Sequence, residues 1–382
     1  MVFVLAILFL FAMIGGVNYY IARRVYQGLA PVCSHVRFGI VLAVFLVMAA
    51  CMVLGFLRSQ LPLPTGFKRV LGTVSAYWMG IFVYLLLFTL AADAIILVLR
   101  LCRLTFARLP MCRLYSLIAV AVLTLSTVGY GICHARQIRH VAYEISLPGK
   151  TDISDMSIVL ISDLHLGAEG SESRLEIVMD EINRLEPDLV CIAGDFFDTD
   201  YCEIRDPEKA IRTMRRLQAT YGVYACLGNH DAGETVGDMR AFLEACGICA
   251  LNDGHTVIDE RLVLVGRLDG TPIGSYGSMK RKPLEEFFVR EDPTLPVIVM
   301  DHNPANIAEY THAADLILSG HTHKGQIFPG SLITDLLYTV DHGHYQKDPD
   351  SPHVVVTSGV GYWGLPMRVG TDSEIVHITV TP

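Results

Sequence analysis

Hydrophobic positions divide the 382-residue chain into two differently patterned parts. In the first part, apolar side chains run without a charge through four stretches, at 1–22, 38–57, 70–92 and 114–133. Each reaches the roughly 20 residues that a helix needs to cross a hydrocarbon core of about 30 Å. Because the connecting segments supply almost no polar helix faces, a water-soluble bundle does not fit. The pattern predicts a membrane domain over residues 1–140 with four transmembrane helices.

From about residue 140 onward, short apolar runs alternate with amphipathic stretches. The runs are rich in branched residues, as in strands buried on both faces. They lie at 157–161, 188–193, 222–227, 296–300 and 315–319. Helical patterns separate several of them, at 172–186, 207–219 and 237–246. This alternation predicts a layered α/β domain over residues 141–382.

Charge follows the same division. Residues 1–140 hold twelve Lys or Arg and one acid, a net charge of +11, and residues 141–382 carry −20. Seven basic residues lie in the first and third loops, against five in the second loop and after the fourth span. The four spans and the positive-inside rule therefore predict a multi-pass cell-membrane protein with both termini, and with them the domain of residues 141–382, outside the cytoplasm. We expect no nucleic-acid partner.

The one acid of the first part, Asp93, follows the third apolar stretch. A carboxylate inside a membrane is a functional candidate, whereas its place near the end of that stretch favours an interfacial position. Both interpretations stay open. Five of the ten cysteines lie in each part, and an odd number in the second part argues against a full disulfide framework.

Metal-ligand residue types follow five of the predicted strands. They are Asp163 and His165, then Asp195 and Asp198, then Asn229, His230 and Asp231, then Asp301 and His302, and last His321 and His323. In an α/β sheet the carboxyl ends of the strands gather at one edge, where ligands bind. Glycines at 194, 228 and 320 allow sharp turns beside the donors. The sequence therefore predicts a polar site at this edge.

The donor types indicate the chemistry of that site. Carboxylates, an amide oxygen and imidazoles without a thiolate suit divalent Mn, Fe or Zn. The donors suffice for two ions, which a bridging carboxylate would hold about 3.5–4 Å apart. A water bridging the ions becomes hydroxide near neutral pH and can attack a phosphoryl group whose oxygens the ions hold.

Five motifs carry a family resemblance: "DLH", "GDFFD", "GNHD", "DHNP" and "GHTH". In kind and order they resemble those of the calcineurin-like metallophosphoesterases, over about residues 155–380. The segment 358–375 resembles the closing loop and strand of the bacterial membrane-associated branch, some of whose members carry four amino-terminal spans. The resemblance implies a four-layer α/β sandwich around two central sheets.

The resemblance also implies roles for individual residues. The first metal would be held by Asp163, His165, Asp195 and His323. The second would be held by Asp195, Asn229, His302 and His321, with Asp195 bridging. His230 would contact phosphate and protonate the leaving group, and Asp231 would orient its ring. Two departures, Lys324 in place of a usual glycine and "LPM" at 365–367, remove no ligand but would change what the pocket accepts.

Several residues outside these sets have two interpretations. Asp198 and Asp301 are candidates to orient metal-bound imidazoles. Arg368 would bind phosphate or form a surface salt bridge. Tyr362 and Trp363 would form a substrate wall or pack in the core. The other histidines are predicted to be structural or exposed, except that His342 and His344 are also candidates to reach the substrate.

The combined hypothesis is a membrane-anchored, two-metal phosphoesterase that hydrolyses a phosphate ester or a pyrophosphate. A narrower alternative is a pyrophosphatase of the UDP-diacylglucosamine type, and a different one is a non-catalytic membrane receptor or scaffold. A lipid-linked substrate would fit the short linker after His140 and the basic residues Arg136 and Arg139, with Tyr362, Trp363 and Leu365 as an apolar lip. Simple tethering is the competing explanation of the anchor.

Overall fold

The structure is a computed structural model that describes residues 2–105, 110–147, 150, 156–167, 172–198, 200–290 and 292–382. Side-chain surroundings are described from residue 12 onward, residues 59 and 110 excepted. The chain divides into two compact units, Met1–Ile132 and Cys133–Pro382.

The first unit is helical. Its helices are α1 (Val2–Leu29), α2 (Phe38–Phe56), α3 (Thr65–Leu101) and α4 (Pro110–His134), the last of which ends just inside the second unit. Among the residues that the structure describes, three segments are long and apolar enough to cross a membrane, namely α2, α3 and Met111–His134 of α4. Half of the first predicted span, residues 1–22, falls on residues 1–11, whose side chains lie outside those described. It stays a prediction.

The carboxylate of Asp93 accepts hydrogen bonds from residues of neighbouring helices. Its Oδ2 accepts hydrogen bonds from Nε of Arg24 at 2.5 Å and from the Tyr20 hydroxyl at 2.8 Å. Arg113 of α4 donates to its Oδ1. The carboxylate of α3 thereby connects α1 to α4.

The second unit contains two six-stranded sheets. The first sheet has the order β1-β12-β2-β3-β4-β5. Its strands are β1 (Ile138–Ser146), β2 (Met156–Ile161), β3 (Leu189–Ala193), β4 (Val223–Cys226), β5 (Cys249–Ala250) and β12 (Ser373–Thr381). The late strand β12 lies between the two earliest strands, parallel to β1 and antiparallel to β2. Three helices accompany this sheet: α5 (Glu172–Asn183), α6 (Pro207–Met214) and α7 (Val236–Cys246).

The second sheet has the order β10-β11-β9-β8-β7-β6. Its strands are β6 (Gly254–Ile258), β7 (Leu262–Gly266), β8 (Val297–Met300), β9 (Leu316–Ser319), β10 (Gly343–Tyr345) and β11 (His353–Val356). A further helix, α8 (Gly330–Leu337), follows β9 along the chain. Strands β7, β8, β9 and β11 are parallel neighbours.

The described residues of this unit form three apolar cores. Leu160 and Cys191 of the first sheet share one core with Leu264 and Met300 of the second, so the two sheets face each other. The other face of the first sheet packs against α5, α6 and α7. The remaining face of the second sheet buries Tyr310 and its neighbours. The unit is therefore a mixed α/β domain, and its four-layer arrangement stays a prediction.

Candidate metal centre

The site lies where strands of both sheets end. Strands β2, β3 and β4 are parallel neighbours in the first sheet, and β8 and β9 are parallel neighbours in the second. Because parallel strands end at the same edge, the segments after these five strands can converge. Among the described residues, their side chains form two sets of metal-type donors that contain the predicted ligands, and a third group, His165, Asp198 and His230, shares His165 with the first set.

The first set contains Asp163, His165 and His323. Nε2 of His165 lies 3.1 Å from Nε2 of His323, which lies 3.3 Å from Oδ1 of Asp163. All three side chains are buried. Among the described residues, no group donates a hydrogen bond to Oδ1 of Asp163. Two imidazole nitrogens that face each other beside an unsatisfied carboxylate oxygen fit a shared cation.

The second set contains Asp195, His302 and His321, with Asn229 beside them. Nε2 of His302 lies 3.1 Å from both Oδ2 of Asp195 and Oδ1 of Asn229. Nδ1 of His321 lies 2.9 Å from the same amide oxygen.

A backbone hydrogen bond on the ring nitrogen that does not face Asp195 fixes the orientation of the His302 ring. Its Nδ1 donates a hydrogen bond of 2.8 Å to the carbonyl oxygen of Ala193. Because Nδ1 carries that proton, the lone pair of Nε2 is free to point at a cation.

Asp195 lies between the two sets. Its Oδ2 is 3.1 Å from Nε2 of His302 and 3.7 Å from Nε2 of His165. Its Oδ1 accepts the backbone N–H of His230 at 2.9 Å. One carboxylate thus reaches both sets while it holds the loop that carries His230.

The electrostatics of the site favour added positive charge. Burial would raise the pKa of Asp195, but His302 and His230 hold it well below the ordinary value. Burial likewise lowers the pKa of His302, but Asp195 and Asp163 outweigh burial and raise it well above normal. For His323, burial dominates and holds its pKa well below normal. A divalent cation would supply the positive charge that these carboxylates require.

His230 lies beside the first set. Its ring is nearly perpendicular to that of His165, with centroids 5.0 Å apart, and lies 6.0 Å from the ring of Trp363. Burial lowers its pKa, against the opposing effect of Asp195. His230 and Trp363 both line a cavity of about 390 Å³ together with His165, Asp195, Asn229 and Ile273. That volume is within the usual range for a small-molecule site.

The carboxylate of Asp231 accepts hydrogen bonds from two backbone N–H groups. It accepts the N–H of Gly228 at 2.9 Å and that of Phe197 at 3.1 Å. These bonds join the loop of Asp195 to the loop of His230. Burial and the charge of Asp195 raise its pKa to about 7. The predicted role of Asp231 in orienting the His230 ring stays a prediction.

Left-handed backbone concentrates at the donor residues. The φ angles are 57° at Asp163, 46° at His165, 53° at Asp195, 71° at His321 and 48° at His323. Such conformations cost on the order of 1–3 kcal/mol each outside glycine and cluster at functional sites.

Two glycines make this geometry fit. Gly194 has φ 80°, and a Cβ there would lie 2.8 Å from Nδ1 of His302. A Cβ on Gly228 would collide with the side chain and backbone N of Asp195. The sequence prediction that these two positions need glycine therefore agrees with the structure.

Both predicted contacts of Arg368 are wrong, whereas core packing, one of the two interpretations of Tyr362, agrees with the structure. Arg368 is fully buried and donates to the carbonyl oxygens of Ser358 at 2.7 Å and Gly361 at 2.8 Å. It therefore fixes this loop instead of binding phosphate or forming a surface ion pair. Tyr362 and Leu365 are buried, and of the three predicted lip residues only Trp363 lines the cavity.

Of the two predicted orienting carboxylates, Asp301 has other partners, whereas Asp198 lies near an imidazole and stays a candidate. Asp301 bonds Arg281 and the Tyr310 hydroxyl, so it is not the partner of His302. Asp198 lies 3.8 Å from Nδ1 of His165, which is within ion-pair range.

The two additional histidine candidates have other partners. Nε2 of His342 lies 3.0 Å from Oε2 of Glu374. His344 stacks on His353 with centroids 5.1 Å apart. Neither residue lines the cavity described above, so the structural interpretation of both holds. Arg139, expected to meet lipid headgroups, pairs with Asp372 at 3.1 Å.

The sequence pattern did not identify one buried carboxylate near the site, Asp269. Asp269 is buried. Its charge adds to the raised pKa of His302 and opposes the burial that lowers the pKa of His321. It follows β7, whose run "LVLVG" has the same continuous apolar pattern as the strands that were recognised. Treating that run as a sixth strand would have drawn attention to Asp269.

Comparison with known proteins identifies the family. The calcineurin-like phosphoesterase pattern matches residues 156–325. An uncharacterized metallophosphoesterase of Helicobacter pylori is 30% identical over 234 residues, which are 60% of each chain. A transmembrane protein with metallophosphoesterase domain from Danio rerio is 29% identical over 284 residues, 69% of this chain and 62% of that one. The chain thus spans about three fifths of the length of these two relatives.

A third relative is matched over most of its length. An uncharacterized metallophosphoesterase of Aquifex aeolicus is 30% identical over 235 residues, which cover 61% of this chain and 87% of the relative. The matched pattern contains the segments that carry both donor sets. The chain belongs to the calcineurin-like metallophosphoesterase family.

Proposed function

We propose that this protein is a membrane-anchored phosphoesterase that uses two divalent metal ions to hydrolyse a phosphate ester or a pyrophosphate. The observation that carries the proposal is the position of Asp195 between two imidazole-rich donor sets. The proposal includes the finer sequence predictions of four membrane spans, a four-layer sandwich and a catalytic domain outside the cytoplasm.

The ligand assignment follows from the two sets. Asp163, His165 and His323 would hold one ion. Asn229, His302 and His321 would hold the other, and Asp195 would serve both. The donors are oxygen and nitrogen only, which suits Mn, Fe or Zn. When bound, such ions supply Lewis-acid activation of water and neutralise charge on the phosphoryl oxygens.

The chain's own residues would position the substrate and move one proton. His230 lines the cavity, and its backbone N–H is held by Asp195. Its ring N–H would donate a proton to the leaving-group oxygen. Asp231 supports this arrangement through the backbone of the two loops. Trp363 provides an apolar wall beside His230.

A lipid-linked phosphate is the substrate class that a membrane anchor and an apolar wall favour. A pyrophosphatase of the UDP-diacylglucosamine type is a narrower form of the same proposal. The alternative of a non-catalytic receptor or scaffold predicts no turnover with any metal. Trp363 in the cavity and the apolar helices of the first unit support the lipid form.

The test combines metal analysis with turnover. The purified full chain, loaded with Mn, should contain about two ions and hydrolyse a member of a phosphomonoester, phosphodiester and pyrophosphate panel. Asp195→Asn should abolish hydrolysis and lower the metal content to one ion or none. Asp180→Asn is the matched control, because Asp180 pairs with Arg216 on the surface.

Two results would contradict the proposal. Fewer than one ion per wild-type chain after Mn loading would exclude the two-metal site. Two ions without hydrolysis of any compound in the panel would favour the scaffold.

A further inference from the structure

An apolar surface patch stands out in the second unit. Phe328 and four residues of α8, namely Leu332, Ile333, Leu336 and Leu337, are 48–85% exposed. We name these five residues the α8 patch. The other exposed large hydrophobic residues described in this unit are Ile177, Val257, Ile273 and Val289, which are scattered along the sequence. The α8 patch presents on the order of 500 Å², comparable to the largest apolar patch on a typical monomer.

The helix has one polar and one apolar side. None of its eight residues is buried. Thr334 donates a hydrogen bond of 2.6 Å to the carboxylate of Asp341, which holds the polar side. The leucines and isoleucine recur at positions 332, 333, 336 and 337, the spacing of one helix face. The patch is therefore a face and not a frayed end.

Close contacts fix α8 to the loop that carries two donors of the metal centre. The hydroxyl of Thr322, between His321 and His323, donates to the carbonyl oxygen of Asp341 at 2.6 Å. Just after α8, the ring of Tyr338 lies 6.2 Å from that of His321. Thr322, Gly325 and Gln326 of this loop also line the cavity. The patch and part of the cavity lining thus lie on one segment, residues 321–338.

The composition of the patch points to a lipid surface as its occupant. Protein interfaces draw their binding energy from Trp, Tyr and Arg, whereas Leu is under-represented at their hot spots. Four of the five patch residues are aliphatic, and Asp335 is the only charged residue within α8. A membrane span also precedes this unit closely in sequence, because α4 is apolar enough to cross a membrane and only three residues separate its end from the start of β1.

We infer that the α8 patch inserts into the bilayer surface and brings the cavity to a phosphate at the membrane interface. This inference rests on the proposed function and narrows its substrate to lipids whose phosphate lies at that depth. An interfacial helix inserts its apolar face about 5–10 Å into the boundary between headgroups and acyl chains. Because the patch carries no basic residue, insertion should depend little on anionic lipid or salt.

Site-specific photocrosslinking tests the insertion. The full chain in phosphatidylcholine nanodiscs would carry p-benzoylphenylalanine at position 336 or, as the control, at position 257. Val257 is 51% exposed and lies outside the patch. Irradiation should give lipid adducts at position 336, several-fold above position 257, with or without phosphatidylglycerol. An adduct to a second copy of the chain, or equal lipid labelling at both positions, would overturn the inference.

A functional arm uses exposed positions that should not affect folding. Leu336→Glu combined with Leu337→Glu should lower hydrolysis of phosphatidic acid in the nanodisc at least 10-fold, because a charged face does not insert. The same variant should hydrolyse soluble bis-nitrophenyl phosphate as wild type does, and Val257→Glu should leave both activities unchanged. Equal activity of the double variant and wild type on phosphatidic acid would also overturn the inference.

The two arms separate this inference from the proposed function. If wild type hydrolyses the soluble ester but position 336 gives no excess of lipid adducts, the docking inference fails alone. If wild type hydrolyses no ester, the phosphoesterase proposal fails, and with it the substrate class. Lipid adducts at position 336 would then support only the membrane contact.

Discussion

Asp163 and Asp301 are two carboxylates in similar positions with different partners. Each follows a buried strand, and each is almost completely buried. Asp301 accepts hydrogen bonds from Arg281 at 2.8 Å and from the Tyr310 hydroxyl at 2.5 Å. Asp163 instead presents Oδ1 to two imidazoles and, within the described part of the chain, accepts no hydrogen bond there.

The difference shows where the compensating charge comes from. A buried carboxylate needs positive charge or hydrogen-bond donors nearby. For Asp301 the protein supplies both, so the residue contributes to the fold. For Asp163 the protein leaves one oxygen available, which is what a cation site requires. Burial and sequence position alone do not separate these two cases.

The largest expected effect comes from exchanging each carboxylate for its amide. Asp163→Asn should abolish hydrolysis, well beyond the roughly 10–100-fold loss typical of residues behind the metal ligands. It should also lower the bound metal while leaving the metal-free fold intact, because Asn tolerates the left-handed backbone there. Turnover, metal analysis and denaturant unfolding of the full chain would measure these effects.

Asp301→Asn should show the opposite combination. Breaking a buried ion pair typically costs about 3–5 kcal/mol, and Arg281 would keep only the exposed carboxylate of Glu309 as an anionic partner. The free energy of unfolding should fall by that order, and metal content per folded molecule should not change. If Asp301→Asn lost metal without losing stability, the distinction between the two carboxylates would be wrong.

A second prediction concerns His230, which lies beside the donor sets without belonging to the assigned ligands. As a proton donor to the leaving group, it should contribute about 10²–10⁴-fold for a poor leaving group. His230→Ala should therefore lose far more activity on alkyl phosphate esters than on nitrophenyl esters. Steady-state rates on matched ester pairs would measure this, with metal analysis showing that the ions remain.

The outcome would distinguish a proton donor from a ligand. Equal losses on both esters would remove the general-acid role. A loss of metal together with activity would instead place His230 among the ligands.

The smallest effect is expected at Glu374, a further carboxylate compensated by the protein. Burial would raise its pKa, but His342, the Ser358 N–H and the Thr357 hydroxyl hold it below the ordinary value. A depressed folded-state pKa contributes stability above the unfolded value, about 4.3, and that contribution is lost as pH falls through the folded value. Near pH 7, the free energy of unfolding of the wild type should therefore be about 1–3 kcal/mol higher than that of Glu374→Gln.

Hydrogen exchange of the β12 amides at several pH values would measure this difference. The advantage of wild type should shrink as the pH is lowered below about 4.3. An advantage that stays constant from neutral to acidic pH would show that Glu374 is not stabilised as a charged group.

The sequence was informative where side-chain chemistry and pattern coincide. The five predicted strands appear within a residue or two of their expected bounds, because continuous branched runs have few alternatives to burial. The donor types after these strands were likewise visible, and the structure brings the assigned ligands into two sets. The sequence could not show which carboxylates the rest of the protein already neutralises.

Other features depend on backbone groups that a sequence does not display. The His302 ring is oriented by a hydrogen bond to the carbonyl oxygen of Ala193. The Arg368 side chain likewise donates to a backbone carbonyl oxygen of its own loop. Helix α8 was missed because its short apolar run resembles a buried segment, whereas its leucines are exposed. A hydrophobic pattern predicts that a face will be covered but does not say by what.

The place of β12 in the first sheet has a consequence for how the protein is made. β12 pairs with both β1 and β2, yet it is synthesised about 210 residues after β2 ends. At about 5–20 residues per second, the first two strands wait roughly 10–40 s for the strand that joins them. During that time their edges are open to the wrong partners, so translation speed and chaperones should govern the yield of this protein more than the stability of the finished fold does.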